Sequence, residues 1–191
     1  NRLYLSGYYG KDIFANDYAG MYFGNRTFSL RWNHLFSKNL FSNFTLINSH
    51  YFYDLGTPEG EIPYFNWLSF LEDYGFRGDF SWYFLPEHTF KFGISSIYHV
   101  IKPGRIRAQD QDNNNTESEL PANYALENGI YLSGESELGS RLAIRYGLRY
   151  SLFHNIGEAR VFTYNDIYEV VDSTFYEQGE FFHFHHGLEP R

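Results

Sequence analysis

Cysteine does not occur in this chain of 191 residues. Its absence excludes a disulfide scaffold and any cysteine-ligated zinc site, and leaves the compartment open. Alanine is scarce, with only 7 residues. Helix-rich folds draw on Ala, Leu, Glu and Lys, so the scarcity turns attention to strands. Long apolar runs are missing as well. The longest stretch without a formal charge, Asn39 to Tyr53, is 15 residues and is rich in Asn, Ser and Thr. A membrane-spanning helix needs about 20 mostly apolar residues, so a helical membrane protein is excluded. Cations are in deficit, 15 Lys and Arg against 23 Asp and Glu, for a net charge of −8. That argues against a nucleic-acid binder, which needs a cationic surplus to neutralise phosphates. The first residues carry no basic segment followed by an apolar core, so no signal peptide is expected, and the chain reads as a mature form or a fragment.

What the chain has in abundance is aromatic side chains: 20 Phe, 18 Tyr and 3 Trp, or 21%. The apolar content of 43% excludes a collagen, a coiled coil and a typical disordered chain. Hydropathy alternates with a period of two. Leu68, Phe70, Tyr74, Phe76, Phe80, Trp82 and Phe84 fall on even positions, while Ser69, Asp73, Gly75, Arg77, Asp79 and Ser81 fall on odd ones. Side chains alternate faces along a strand, so this spacing predicts one greasy and one wet face. Leu142, Ile144, Tyr146, Leu148, Tyr150 and Leu152 repeat the pattern against Arg141, Ala143, Arg145, Gly147, Arg149 and Ser151. Less pure versions run through Leu3 to Tyr9, Thr27 to His34, Leu40 to Tyr53, Phe90 to Val100 and Leu126 to Leu138, with a last one from Phe181 to Glu189.

Eight strands are predicted, several of 10 to 17 residues. Strands of soluble proteins usually run about 5–6 residues, whereas a tilted strand crossing a bilayer needs about 9–11. The connections alternate too. Short turns are expected near Lys38, near Pro86 and at Gly139-Ser140, and long loops over residues 10–26, 54–66, 101–123 and 155–178. Short turns on one side and long loops on the other are how transmembrane β-barrels are built, the short ones periplasmic. Trp67, Trp82, Tyr83, Phe84, Tyr51, Phe52, Tyr53 and Tyr98 fall near segment ends, where two aromatic girdles would sit. The fold expectation is therefore all-β, a transmembrane antiparallel β-barrel in the bacterial outer membrane, with lipid as its first partner. The competing expectation is a soluble antiparallel barrel with an aromatic core, disfavoured by strand length and loop asymmetry.

Several segments resemble a known family. The run RWNHLFSKNLFSNFT from Arg31 to Thr45 resembles a barrel hairpin of the TonB-dependent outer-membrane receptors, Bacteroidetes type. FKFGISSIYH from Phe90 to His99, with Lys102-Pro103-Gly104, is similar to the next hairpin there, and HGLEPR from His186 to Arg191 to a later strand start. The resemblance implies a barrel of about 22 strands, a plug domain of the same chain, the TonB protein as energising partner, and a surface lipoprotein. No plug or TonB-contacting segment is visible in these residues, so a fragment of such a receptor is expected, supplying wall and outer loops for uptake of a bound solute. The alternative is a self-contained eight-stranded barrel with a structural or adhesion role.

Candidate functional residues lie on the wet face. Glu135 and Glu137 precede the turn, and Arg141, Arg145 and Arg149 follow it, so hairpin pairing brings them within cross-strand or diagonal reach. Arg77 and Asp79 share this kind of face. They could line a solute path or touch a plug, or simply form an ion-pair network in the barrel wall. Facing lipid is excluded, because Arg at the bilayer midplane costs roughly 2–4 kcal/mol. His183 and His185 would share a strand face, with His186 opposite, which falls short of the four convergent ligands of a zinc site. The run from Asp110 to Thr116 resembles the start of a calcium loop, but Asn115 replaces the required Gly and Pro121 the bidentate Glu. No metal and no cofactor is expected. Nucleophile-elbow, zincin, phosphate-loop and dinucleotide motifs are all missing, and the expected role is not enzymatic. An outer-membrane enzyme would need a polar triad or carboxylate cluster at the loop rim.

Overall fold

The computed structural model describes residues 1–58, 63–110, 112, 114–139 and 141–191. Its strands are β1 (Arg2–Ala15), β2 (Gly20–Leu35), β3 (Leu40–Gly56), β4 (Tyr64–Leu85), β5 (His88–Gln109), β6 (Asn115–Glu119), β7 (Asn123–Leu138), β8 (Leu142–Ile156), β9 (Ala159–Tyr164), β10 (Val170–Tyr176) and β11 (Phe181–Pro190). No helix occurs among the described residues. The main sheet runs β1-β2-β3-β4-β5-β7-β8-β11, and every pairing is antiparallel. The eight strands of this path are the eight expected from alternation.

The longest strands exceed what the alternation predicts. β4 and β5 each have 22 residues and β3 has 17. Three of the four expected long loops are shortened by strand extension. Residues 10–26 are mostly ladder, because β1 and β2 stay paired up to Ala15 and Gly20. The turn between them is closed by the Asn16 side chain, which accepts from the Tyr18 and Ala19 amides at 2.9 Å. β5 runs on to Gln109, and β6 returns along it. β6 and β7 lie against the same edge of β5, interrupted around Pro121, which has no amide to donate. The connection 155–178 carries a separate two-stranded sheet of β9 and β10. Of the expected turns and loops, residues 59–62, Gln111, Asn113 and Ser140 lie outside the described residues.

The sheet is a single layer with two different faces. One transverse row reads Leu5, Leu30, Leu46, Phe76, Ser96, Asn128, Leu152 and His186 from β1 to β11. The next reads Leu3, Trp32, Phe44, Gly78, Ile94, Ile130, Tyr150 and Leu188. The opposite face carries Arg31, Thr45, Arg77, Ser95, Gly129, Ser151 and Gly187 along one row. No core separates them from solvent: among the described residues only Ala125 and Phe182 are buried apolar side chains. The accessible surface is 13796 Å². A compact monomer of 22.6 kDa would expose about 9,500 Å². The apolar face is therefore uncovered by any of the described residues, and Leu46, Ile94, Ile130, Leu132 and Leu148 stand exposed on it.

The sheet is also open. β1 pairs with β2 alone and β11 with β8 alone, so its first and last strands do not meet.

Candidate functional site

The wet face is stitched by polar bonds that run across the strands. β7 and β8 pair Glu135 with Arg145 directly, and their side chains form an ion pair of 2.8 Å. Arg149, four residues along β8 from Arg145, lies 3.8 Å from Glu127 on β7 and 3.8 Å from Glu189, its direct partner on β11. Ser151 closes this group, donating to Glu189 at 2.7 Å and accepting from the Arg149 Nε at 3.0 Å. Of the expected ladder, Arg145 and Glu135 meet as anticipated, and Arg149 reaches other partners. Glu137 faces Ala143 across the hairpin, and Arg141 sits in the turn. Neither makes an ion pair among the described residues.

Arg77 and Asp79 pair with each other along β4 at 2.8 Å. The Asp79 carboxylate also accepts from the Tyr131 hydroxyl at 2.6 Å. Tyr131 belongs to β7 and Asp79 to β4, with β5 between them. The crossing is possible because the β5 residue in that row is Gly93. A Cβ there would stand 2.7 Å from the Tyr131 ring and 2.5 Å from the Gly78 carbonyl. Gly129 serves Arg149 in the same way, its Cβ position lying 2.8 Å from the guanidinium. Small residues thus act as troughs for long side chains from the neighbouring strand.

Nearer the long-loop end, the His99 ring on β5 lies 2.7 Å from the Asp73 carboxylate on β4. Ser49 on β3 is the next residue in that row. The order Ser–Asp–His places the carboxylate in the middle, whereas a nucleophile needs the imidazole between hydroxyl and acid. Ser49 bonds instead to Asn25, and Thr27 joins the same group. A bonded wall results, with no nucleophile–base geometry in it.

Tyr131, Glu127, Ser151, Asp73 and His99 are not among the candidates that the sequence offers. Their common signal is an odd-face polar position, and it becomes informative only when the strand register is known.

The histidine run departs from simple alternation. His185 lies opposite Phe153 and His186 opposite Leu152, but a register shift between Phe182 and Phe184 leaves His183 outside the ladder, with φ 49. His183 and His185 therefore do not form an i, i+2 pair on one face, as expected from sequence. Among the described residues no group of three or more His, Asp or Glu is arranged to hold a metal. The Asp110 carboxylate is turned to a local task, accepting from the amides of Asp112 and Asn114 at 2.9 Å each and from the Asn114 side chain. These bonds, that of the Asn114 side chain first, hold its pKa below the ordinary carboxylate value and make it more acidic than usual. Beyond it, Glu117 on β6 is gripped by Arg105 on β5, with Arg107 at 3.5 Å, and is likewise more acidic than usual, chiefly through the Arg105 hydrogen bond. Asp110 and Glu117 cap and brace a hairpin.

Most ring contacts lie on or around the apolar face and gather towards its two ends. Toward the short turns, His34, Phe36, Phe44, Phe80 and Phe92 form a chain of contacts, with Trp82, Phe84 and Phe90 beside it. Toward the long loops, His50 contacts Phe52 and Phe70, and Tyr98 stacks on Tyr124.

The fold and these faces define an all-β antiparallel protein with a two-faced, single-layer sheet. No family model, no curated protein and no solved structure matches the chain. The likeness to TonB-dependent receptors rests on the segments quoted for it.

Proposed function

We propose that this chain forms part of the wall of an outer-membrane β-barrel transport receptor of the TonB-dependent kind. Its apolar face meets lipid, and its polar face lines the lumen. The observation that carries the reading is the uncovered apolar face, which spans eight strands of up to 22 residues with none of the described residues packed over it. Water would not tolerate that surface, and hydrocarbon would. Backbone groups at a sheet edge cannot be left unpaired in lipid. The free edges of β1 and β11 therefore call for further strands, which supports a larger barrel over an eight-stranded one closed on itself. The polar network braces the wall around a wet interior, where a plug domain would sit, and the connections at the long-loop end form the outer mouth. The role is that of a wall and a solute vestibule, without chemistry of its own.

The absence of cysteine from these 191 residues allows a direct test once any cysteine elsewhere in the protein is replaced. Single cysteines placed along 147–152 of the full-length protein in outer membranes are exposed to a membrane-impermeant maleimide. Even positions should stay unlabelled, with labelling confined to odd positions and the loops. Labelling of even positions as complete as that of Tyr168→Cys in the exposed hairpin would refute membrane placement. The transport assignment is tested separately: solute-dependent growth should be lost equally on deleting this protein or the inner-membrane energising complex. Growth that ignores the energising complex would overturn it.

A further inference from the structure

The lipid-facing side carries no Lys, Arg, Asp or Glu from the row of Trp82 up to the row of Arg26, where charge first appears. Arg26, His50 and Glu72 lie side by side on β2, β3 and β4. Arg26 is 3.8 Å from Glu72, and Asn48 donates to the same carboxylate at 3.4 Å. Charged groups on this face are tolerable only where hydrocarbon ends, and the strand geometry places that boundary. Glu72 is ten residues from Trp82 along β4, and Trp82 belongs to the ring cluster beside the short turns. Ten residues rise about 34 Å along a strand, and a tilt of about 40° reduces this to about 26 Å of height. The lipid-facing band of an outer-membrane barrel is about 25 Å tall. The row containing Arg26 thus lies at the outer headgroup level.

We infer that Arg26 and Lys11 form a site for a phosphate-bearing headgroup of the outer leaflet; this rests on the membrane placement proposed above. The two cations share the lipid-facing side and are one diagonal step apart, since Tyr9 faces Arg26 and Lys11 faces Gly24. Such neighbours are about 7 Å apart, a span that one phosphate can bridge. Gly24 places no side chain between them, and the Phe52 ring lies over it. Glu72 neutralises Arg26 only in part. The pair is long, and the Arg26 side chain is 60% exposed against 21% for Glu72, so the guanidinium keeps donors pointing outward. Lys11 is held over the Tyr22 ring at 5.0 Å with no carboxylate partner among the described residues. A zwitterionic headgroup offers these cations a phosphate masked by its own ammonium. A phosphorylated glycolipid offers an unmasked one.

The test uses the full-length protein inserted in phosphatidylcholine vesicles containing a small fraction of fluorescent lipid A. The native protein should concentrate lipid A at its perimeter. The Lys11→Ala/Arg26→Ala double variant should bind it about 10- to 30-fold more weakly, on the basis of the attraction of each surface cation to anionic lipid. Lys38→Ala, at the opposite rim, should bind as the native protein does. If the double variant inserts normally and binds lipid A unchanged, the site is refuted while the membrane reading stands. If the native protein does not insert, both fall. Displacement of lipid A by inorganic phosphate would overturn the lipid assignment in favour of a free anion. Should the double variant fail to insert, Arg26→Gln alone must weaken binding by several-fold for the site to survive.

Discussion

Ile130→Arg separates a sheet bathed in hydrocarbon from one bathed in water more sharply than any other single change. Ile130 is 58% exposed and lies between Ile94 and Tyr150 in its row. Its row is that of Gly78, four residues along β4 from Trp82 and six from Glu72, near the middle of the apolar band. In water, replacing a projecting Ile by Arg removes exposed apolar surface and breaks nothing, so stability should hold or improve. In lipid, Arg at the midplane costs about 2–4 kcal/mol, a loss of roughly 30- to 900-fold in the folding equilibrium. The cost depends on depth. Ile144 lies seven rows of the ladder nearer the short turns along β8 than Ser151, beyond the row of Trp82. Ile144→Arg should therefore cost only about 0–1 kcal/mol, the interfacial value. That is milder than the alternation pattern alone suggests, because alternation assigns a face and not a depth. Ser151→Arg on the polar face should be mild for a different reason, being set in the lumen wall. Equilibrium urea unfolding from vesicles, followed by the Trp signal and by gel mobility, measures all three. An Ile130→Arg variant as stable as the native protein, or equal costs at Ile130 and Ile144, would refute the placement of the hydrocarbon band.

Other outcomes follow from the polar face and the outer hairpin. Gly93→Ala should push the Tyr131 ring off its path and crowd the Gly78 carbonyl, costing more than the about 1–2 kcal/mol of a displaced hydrogen bond to Asp79; Tyr131→Phe in the Gly93→Ala background should add little, which a double-mutant cycle reads directly. Removing the Arg145–Glu135 pair should cost under about 1 kcal/mol, since the Arg145 side chain is 81% exposed, and a larger loss would mean that the pair is shielded by another part of the protein. Asp110 and Glu117 both titrate below their ordinary values of 3.8 and 4.5. Each therefore stabilises the hairpin of β5 and β6 above its ordinary value, and that contribution disappears as pH falls through the depressed one. Amide exchange over 105–119 should accelerate on acidification below about pH 4 while the β7–β8 ladder stays protected; unchanged exchange would show that the Arg105 and Asn114 bonds do not hold the hairpin.

The alternation of residues such as Leu142 to Leu152 was enough to establish eight main strands, their two faces and the side on which the turns are short. Period two is a local property: each side chain's face follows from its own place in the strand, without reference to any neighbour. The Glu135–Arg145 pair was legible for the same reason, because a tight hairpin ties register to sequence separation. Strand ends were less legible. Asn, Gly and Asp around residues 10–26 read as loop, yet the β1–β2 ladder carries them, since pairing with a neighbour outweighs local propensity. Only the tertiary arrangement could bring Tyr131 across Gly93 to Asp79, join Arg149 to Glu189, lift His183 out of the ladder or set Arg26 beside Glu72. Each depends on register between strands, or on a bulge, and neither is written in any one segment. The absence of a core is likewise a property of the whole sheet: every strand of its path offers an apolar face, and only their assembly in one open layer shows that none of the described residues covers it.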